Sequence, residues 1–131
     1  MDILERLAKA IGYPEKPERA EDGSAELAVD DGTVRVRTFR GRTVLWRSLG
    51  VSDGDTLRDL AGYASGRLLK EEAVLAWDPE AGEAVLWQEV PETEDAGRLR
   101  RTFEVFCASC DWWLERCEEF HGKPADAVIL G

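Results

Sequence analysis

The chain opens on DILERLAKAIG, in which apolar side chains recur at Ile3, Leu4, Leu7, Ala8 and Ile11. Residues three and four apart share one face of an α-helix, so this spacing predicts an amphipathic helix. Asp2 stands where a helix N-cap is needed and Gly12 where the chain must leave the helix. The next segment, YPEKPERAEDGS, has two prolines and no period, and predicts a loop. From Ala25 the period falls to two. AELAV, TVRVRTF and TVLWRSL, separated by DDG and RGR, predict three strands joined by tight turns. In the second of them Val34, Val36 and Thr38 share one face and Arg35, Arg37 and Phe39 the other, which gives the meander a drier and a wetter side.

Helical spacing returns in TLRDLAGYASGRLL through Leu57, Leu60, Ala61, Ala64 and Leu68, with Asp53 or Asp55 as the cap. Gly62 and Gly66 each weaken an isolated helix by roughly 1 kcal/mol relative to alanine. Their presence is expected where another backbone comes close. AVLAWD and EAVLWQEV, joined by PEAG, read as two further strands, the second ended by Pro91. From about Glu94 to Phe120, a stripe of Leu99, Phe103, Phe106, Cys110, Trp113, Cys117 and Phe120 recurs every 3.5 residues and predicts a long helix. The remaining HGKPADAVILG reads as a short extended tail. The predicted order is α-β-β-β-α-β-β-α: one α+β domain over residues 1–131, with an antiparallel sheet of about five strands and three helices.

Composition narrows the class of function. Hydrophobic residues make up 44% of the chain and charged residues 34%, as in a globular protein with one core. No apolar run approaches the roughly 20 residues of a membrane span, so no membrane insertion is expected. The mixed charges of the opening segment are not those of a signal peptide, and three cysteines read as reduced thiols, so a cytoplasmic location is expected. With 27 acidic residues against 17 basic ones, the net charge is −10, which disfavours nucleic acid as a partner. The exception is a cluster of Arg35, Arg37, Arg40, Arg42 and Arg47, expected to face solvent on strands and a turn.

Only one stretch resembles a metal site. CASCDWWLERCEEFH contains every cysteine and the one histidine of the chain, spaced Cys107-x2-Cys110-x6-Cys117-x3-His121. Within a helix rising 1.5 Å per residue, Cys107 and Cys117 stand roughly 15 Å apart, too far for Zn–S bonds of about 2.3 Å to join. The cysteines therefore read as small buried hydrophobes, and no metal or other cofactor is expected. No nucleophile–base constellation and no phosphate-binding glycine loop occurs, so no enzyme is expected.

AWDPEAGEAVLWQEVP resembles the strand–turn–strand of class I type III secretion chaperones, in which Leu-x-Gln-x-apolar-Pro precedes the last helix. Here that pattern is Leu86, Gln88, Val90 and Pro91, followed by a helix with Phe103, Phe106, Trp112 and Trp113. The order and length of the other elements also match, as do the acidity and small size. The glycine-rich middle helix and the three cysteines depart from the family pattern. The resemblance implies a bacterial, cytoplasmic homodimer. It would hold the extended N-terminal chaperone-binding segment of a secreted effector, a virulence function, and keep it soluble for export. It places the dimer interface at Leu57, Leu60, Tyr63, Leu68, Val74 and Trp77, and effector contacts at Leu4, Leu7, Ile11, Val34, Phe39 and Trp46. The first strand and opening helix are expected to form an open edge beside a groove. The alternative is a stand-alone sensory or regulatory protein-binding module of the same fold.

Overall fold

The structure, a computed structural model, describes residues 2–29, 32–67 and 72–121. The side chains of Phe39, residues 63–67 and residues 119–121 lie outside that description, as do Leu68 and the tail 122–131. Eight elements follow in the expected order: α1 (Ile3–Ala10), β1 (Ala25–Val29), β2 (Gly32–Phe39), β3 (Arg42–Ser48), α2 (Gly54–Arg67), β4 (Val74–Asp78), β5 (Glu83–Glu89) and α3 (Ala96–His121). Local chemistry sets their ends. Asp2 caps α1, its carboxylate accepting the Glu5 amide at 2.9 Å, and Gly12 leaves the helix with φ +73°. For α2 the cap is Asp53 rather than Asp55, its carboxylate accepting the Thr56 amide at 2.8 Å. β2 and β3 are joined by Arg40 and Gly41, both with positive φ (52° and 78°), the two-residue turn whose twist suits a hairpin.

The strands form one antiparallel sheet in the order β1-β2-β3-β5-β4, so β1 and β4 are its edges. Register fixes which side chains share a face. Leu27 stands opposite Val34, Val36 opposite Leu45, and Leu45 opposite Gln88. These residues face the helices, and the core closes over them with Leu4 and Leu7 of α1, Leu60 of α2, and Leu99, Phe106, Cys110 and Trp113 of α3. α3 is the spine of the helical layer: α1, α2, β3 and β5 all pack against it. Its stripe is buried as the sequence predicts as far as Cys117, and Phe120 lies beyond the described side chains.

Several expectations are corrected. Ala61 is exposed although it was expected on the apolar stripe of α2, because the inward face of that helix runs through Thr56 and Leu60. Among the described residues, Gly62 has nothing within 4 Å of the place a Cβ would take, so no close approach there explains it. Thr38 is exposed at the end of the drier face of β2. Arg47 does not face solvent with the other arginines. It occupies an inward position of β3, opposite Leu86, and is 8% exposed.

Candidate functional site

The two faces of the sheet differ in cover. One carries the helices. On the other, the register aligns Arg35, Trp46, Trp87 and Val74 in a row across β2, β3, β5 and β4. The Arg37 guanidinium lies 4.7 Å from the centre of the Trp46 ring, a cation–π contact. Arg35 pairs with Glu26 and Arg42 with Glu89, each at 3.2 Å, and both pairs are solvent-exposed. A cavity of about 390 Å³ opens here between Arg37, Val44, Trp46, Ala76 and Trp87. The arrangement sets aromatic faces and guanidinium groups around one cavity.

A second concave surface lies on the helical side. Ile11 and Tyr13, just beyond α1, Ala28 of β1 and Phe103 of α3 enclose a cavity of about 580 Å³. It adjoins another of about 610 Å³ between Val29, Arg47, Cys107 and Leu114, and Phe103 and Glu104 line both. The β1 edge beside this groove was expected to be open, and it is not. The Ala28 amide donates to the Tyr13 hydroxyl at 3.1 Å, and Arg19 forms an antiparallel bridge with Ala25. The loop before β1 thus covers backbone groups that an edge strand would otherwise leave free. Where that loop enters β1, Asp22 accepts both the side-chain and the backbone donors of Ser24, which holds its carboxyl below the usual carboxylate range.

Placed on this frame, the residues assigned to effector contact do not form one patch. Leu4, Leu7 and Val34 are 4%, 0% and 0% exposed. The exposure their assignment requires is absent, because the α1 stripe and the inward face of β2 are the core itself. Ile11 is half-buried and lines the groove. Trp46 is half-buried on the helix-free face; Phe39 pairs with Arg42 in register, and its side chain lies outside the description. Of the residues assigned to a dimer interface, Leu60 is wholly buried within the chain, while Leu57 and Val74 are half-buried. Trp77 is 40% exposed. Trp77 stands opposite Ala84 and Val74 opposite Trp87, so the two fall on opposite faces of β4. The side chain of Tyr63, and Leu68 altogether, lie outside the described residues.

The cysteines are free thiols along α3: Cys110 and Cys117 are buried and Cys107 half-buried. Burial pushes the Cys117 thiol up to about 11. Among the described residues, no three His, Cys, Asp or Glu gather to hold a metal. Gln88, of the Leu-x-Gln-x-apolar-Pro stretch, is 1% exposed; its amide nitrogen donates to Glu72 at 3.2 Å, and its Oε1 has no partner among the described residues. Sequence reasoning missed this buried amide, Arg47, and Thr102 and Ser109 on α3, each 8% exposed or less. The alternation of β3 and β5 held a signal for the first two, since Arg47 and Gln88 fall in step with Leu45 and Leu86.

No family profile matches the chain. No curated protein sequence matches it either. Solved structures do. A chain of the HopA1–SchA chaperone–effector complex superposes with a TM-score of 0.67 at 17% identity, over 86% of this chain and 91% of that one. A chain of the ExsC–ExsE complex gives 0.62 at 20% identity, over 88% and 96%. At such identities the likeness is one of fold, and it extends over nearly the whole length of both partners. The resemblance drawn from the sequence therefore holds at the level of architecture.

Proposed function

We propose that this chain is a type III secretion chaperone. As a cytoplasmic homodimer, it would bind the extended N-terminal segment of a secreted effector and keep it soluble and fit for export. The observation that carries the reading is the end-to-end match of its fold to a chain of a chaperone–effector complex. That likeness was anticipated independently from the stretch Leu86 to Pro91 and the order of the elements. Two concave surfaces, one on each side of the sheet, and an exposed Trp77 on the edge strand β4 are the features such a binder needs. A segment that is unfolded alone must be ordered on binding, so it must bury a large area, and surfaces on both faces supply it. The reading assigns no catalytic role and no cofactor. No helix among the described residues is long and apolar enough to cross a membrane.

The test is a calorimetric titration with the N-terminal segment of a larger secreted protein, which the proposal expects to be encoded beside this chain. Saturable binding with a negative heat-capacity change is expected, because apolar surface is buried. Binding only to the folded remainder of that protein would overturn the proposal in favour of a sensory or regulatory module.

A further inference from the structure

The cavity on the helix-free face is more selective in its chemistry than a general binding surface needs to be. It crosses the sheet from Arg37 on β2, over Val44 and Trp46 on β3 and Trp87 on β5, to Ala76 on β4. That path is three strand spacings of about 4.8 Å, or about 14 Å in all. Trp46 and Trp87 stand opposite each other in register, both half-buried, beside the buried Val44. Trp77 borders the cavity from the sheet edge and is 40% exposed, although register places it on the other face of β4. An indole and a guanidinium can donate hydrogen bonds but not accept them. Among the described residues, none of the three indole N–H groups has an acceptor, and the Arg37 guanidinium rests on the Trp46 ring without one. Two carboxylates also border the cavity. Asp78 is engaged in the β4–β5 turn, accepting the Glu80 amide at 3.0 Å and the Ala81 amide at 3.4 Å. Glu80 is exposed. Arg37 and Glu80 are therefore the charges left to a ligand here.

A ligand that covers these rings must bring apolar surface and acceptors, and few donors. A docked helix does not, because its carbonyls are engaged within it and the donors beneath would be buried unpaired. An added strand does not, because ladder bonds are made at the edge of a sheet and not on its face. A polyproline II segment does. It makes no internal hydrogen bonds, so its carbonyls are free, and proline has no N–H to satisfy. At 3.1 Å per residue, roughly four or five residues cross the path of about 14 Å. Proline-rich segments of this kind dock in aromatic-lined grooves.

We infer that the cavity is a docking site for a proline-rich segment of a partner protein in the polyproline II conformation. Its prolines lie over Trp46 and Trp87, its carbonyls accept from the indole N–H groups and Arg37, and a basic residue at one end meets Glu80. The chaperone reading uses this face only as area to bury and requires no proline-rich partner.

The probe is a fluorescein-labelled peptide of about ten residues, prolines followed by one arginine, long enough to cross the cavity. Its controls are a glycine–serine peptide of the same length and charge, and an amphipathic helical peptide of leucine and lysine. Anisotropy is read against the purified full chain at micromolar concentration, and against Trp46→Phe and Trp87→Phe, which keep an aromatic ring and lose the N–H. Val105→Ser, on the exposed flank of α3, is the variant away from the site. The expected result is saturable binding of the proline peptide, about tenfold tighter than the glycine–serine control. Each Phe variant should weaken it about fivefold, and Val105→Ser should leave it unchanged. Equal binding of the glycine–serine control, tighter binding of the helical peptide, or affinity unchanged in both Phe variants would overturn the inference. So would no binding at all, the outcome if a second copy of the chain covers this face. Each of those leaves the calorimetric test with the effector segment standing, and failure of that titration leaves the proline site standing.

Discussion

Leu7 and Ile11 sit one helical turn apart on the same stripe, and the structure separates their roles. Leu7 is wholly buried, whereas Ile11 is half-buried at the lip of the groove. Replacing Leu7 by alanine should cost the fold about 2–5 kcal/mol, the range for deleting a buried leucine. Ile11→Ser should cost about 1 kcal/mol, because less of its surface leaves water on folding. Urea denaturation of the two variants checks the contrast. Periodicity told that both residues belong to an apolar stripe. It could not tell where the stripe ends and a surface begins, since that depends on which elements pack against α1. Arg47 shows the reverse: its inward register was legible, but its charge argued for solvent. At Cys117 the buried thiol must stay protonated in the folded chain, while in the unfolded chain it ionises near 9. Between pH 9 and about 11 the unfolded state binds fewer protons, so stability falls as pH rises. The slope is at most about 1.4 kcal/mol per pH unit. Comparing denaturant midpoints at pH 8 and 10 for the wild type and Cys117→Ala isolates it: the wild type should lose more.

Among the elements, β1 is the clearest case of a feature half visible in the sequence. Its five alternating residues and position as an edge were legible. The cover over that edge was not, because Tyr13 lies in a segment with no period and meets Ala28 only through the return of the loop. Tyr13→Phe removes the acceptor of the Ala28 amide while keeping the ring. Hydrogen exchange at Ala28 should then quicken, with stability lowered by about 1 kcal/mol, the usual net worth of one such bond. Unchanged protection at Ala28 would mean that the cover of the edge does not depend on this hydroxyl. The boundaries of α2 and α3 were legible for a different reason: caps and turns are local chemistry. Asp53 and Asp55 were equivalent in sequence, and only the hydrogen bond to Thr56 decides between them.

At the scale of the whole molecule, element order and sheet class followed from periodicity, because each helix and strand has only one face to bury. Surfaces for partners did not, because an apolar residue on a stripe reads the same whether its neighbour is in the same chain or another. Trp77 is exposed at an edge of the sheet, and the resemblance to the chaperones gives it to the dimer. Trp77→Glu should therefore split a dimer into folded monomers, since a side chain already in contact with water contributes little to the fold. Light scattering at micromolar concentration, on the chain alone and then with the client segment, tests the account most directly. The account predicts twice the 14.6 kDa chain mass for the free protein, raised by the mass of the bound segment on mixing. A monomer that persists at higher concentration and gains no mass with the segment would contradict it.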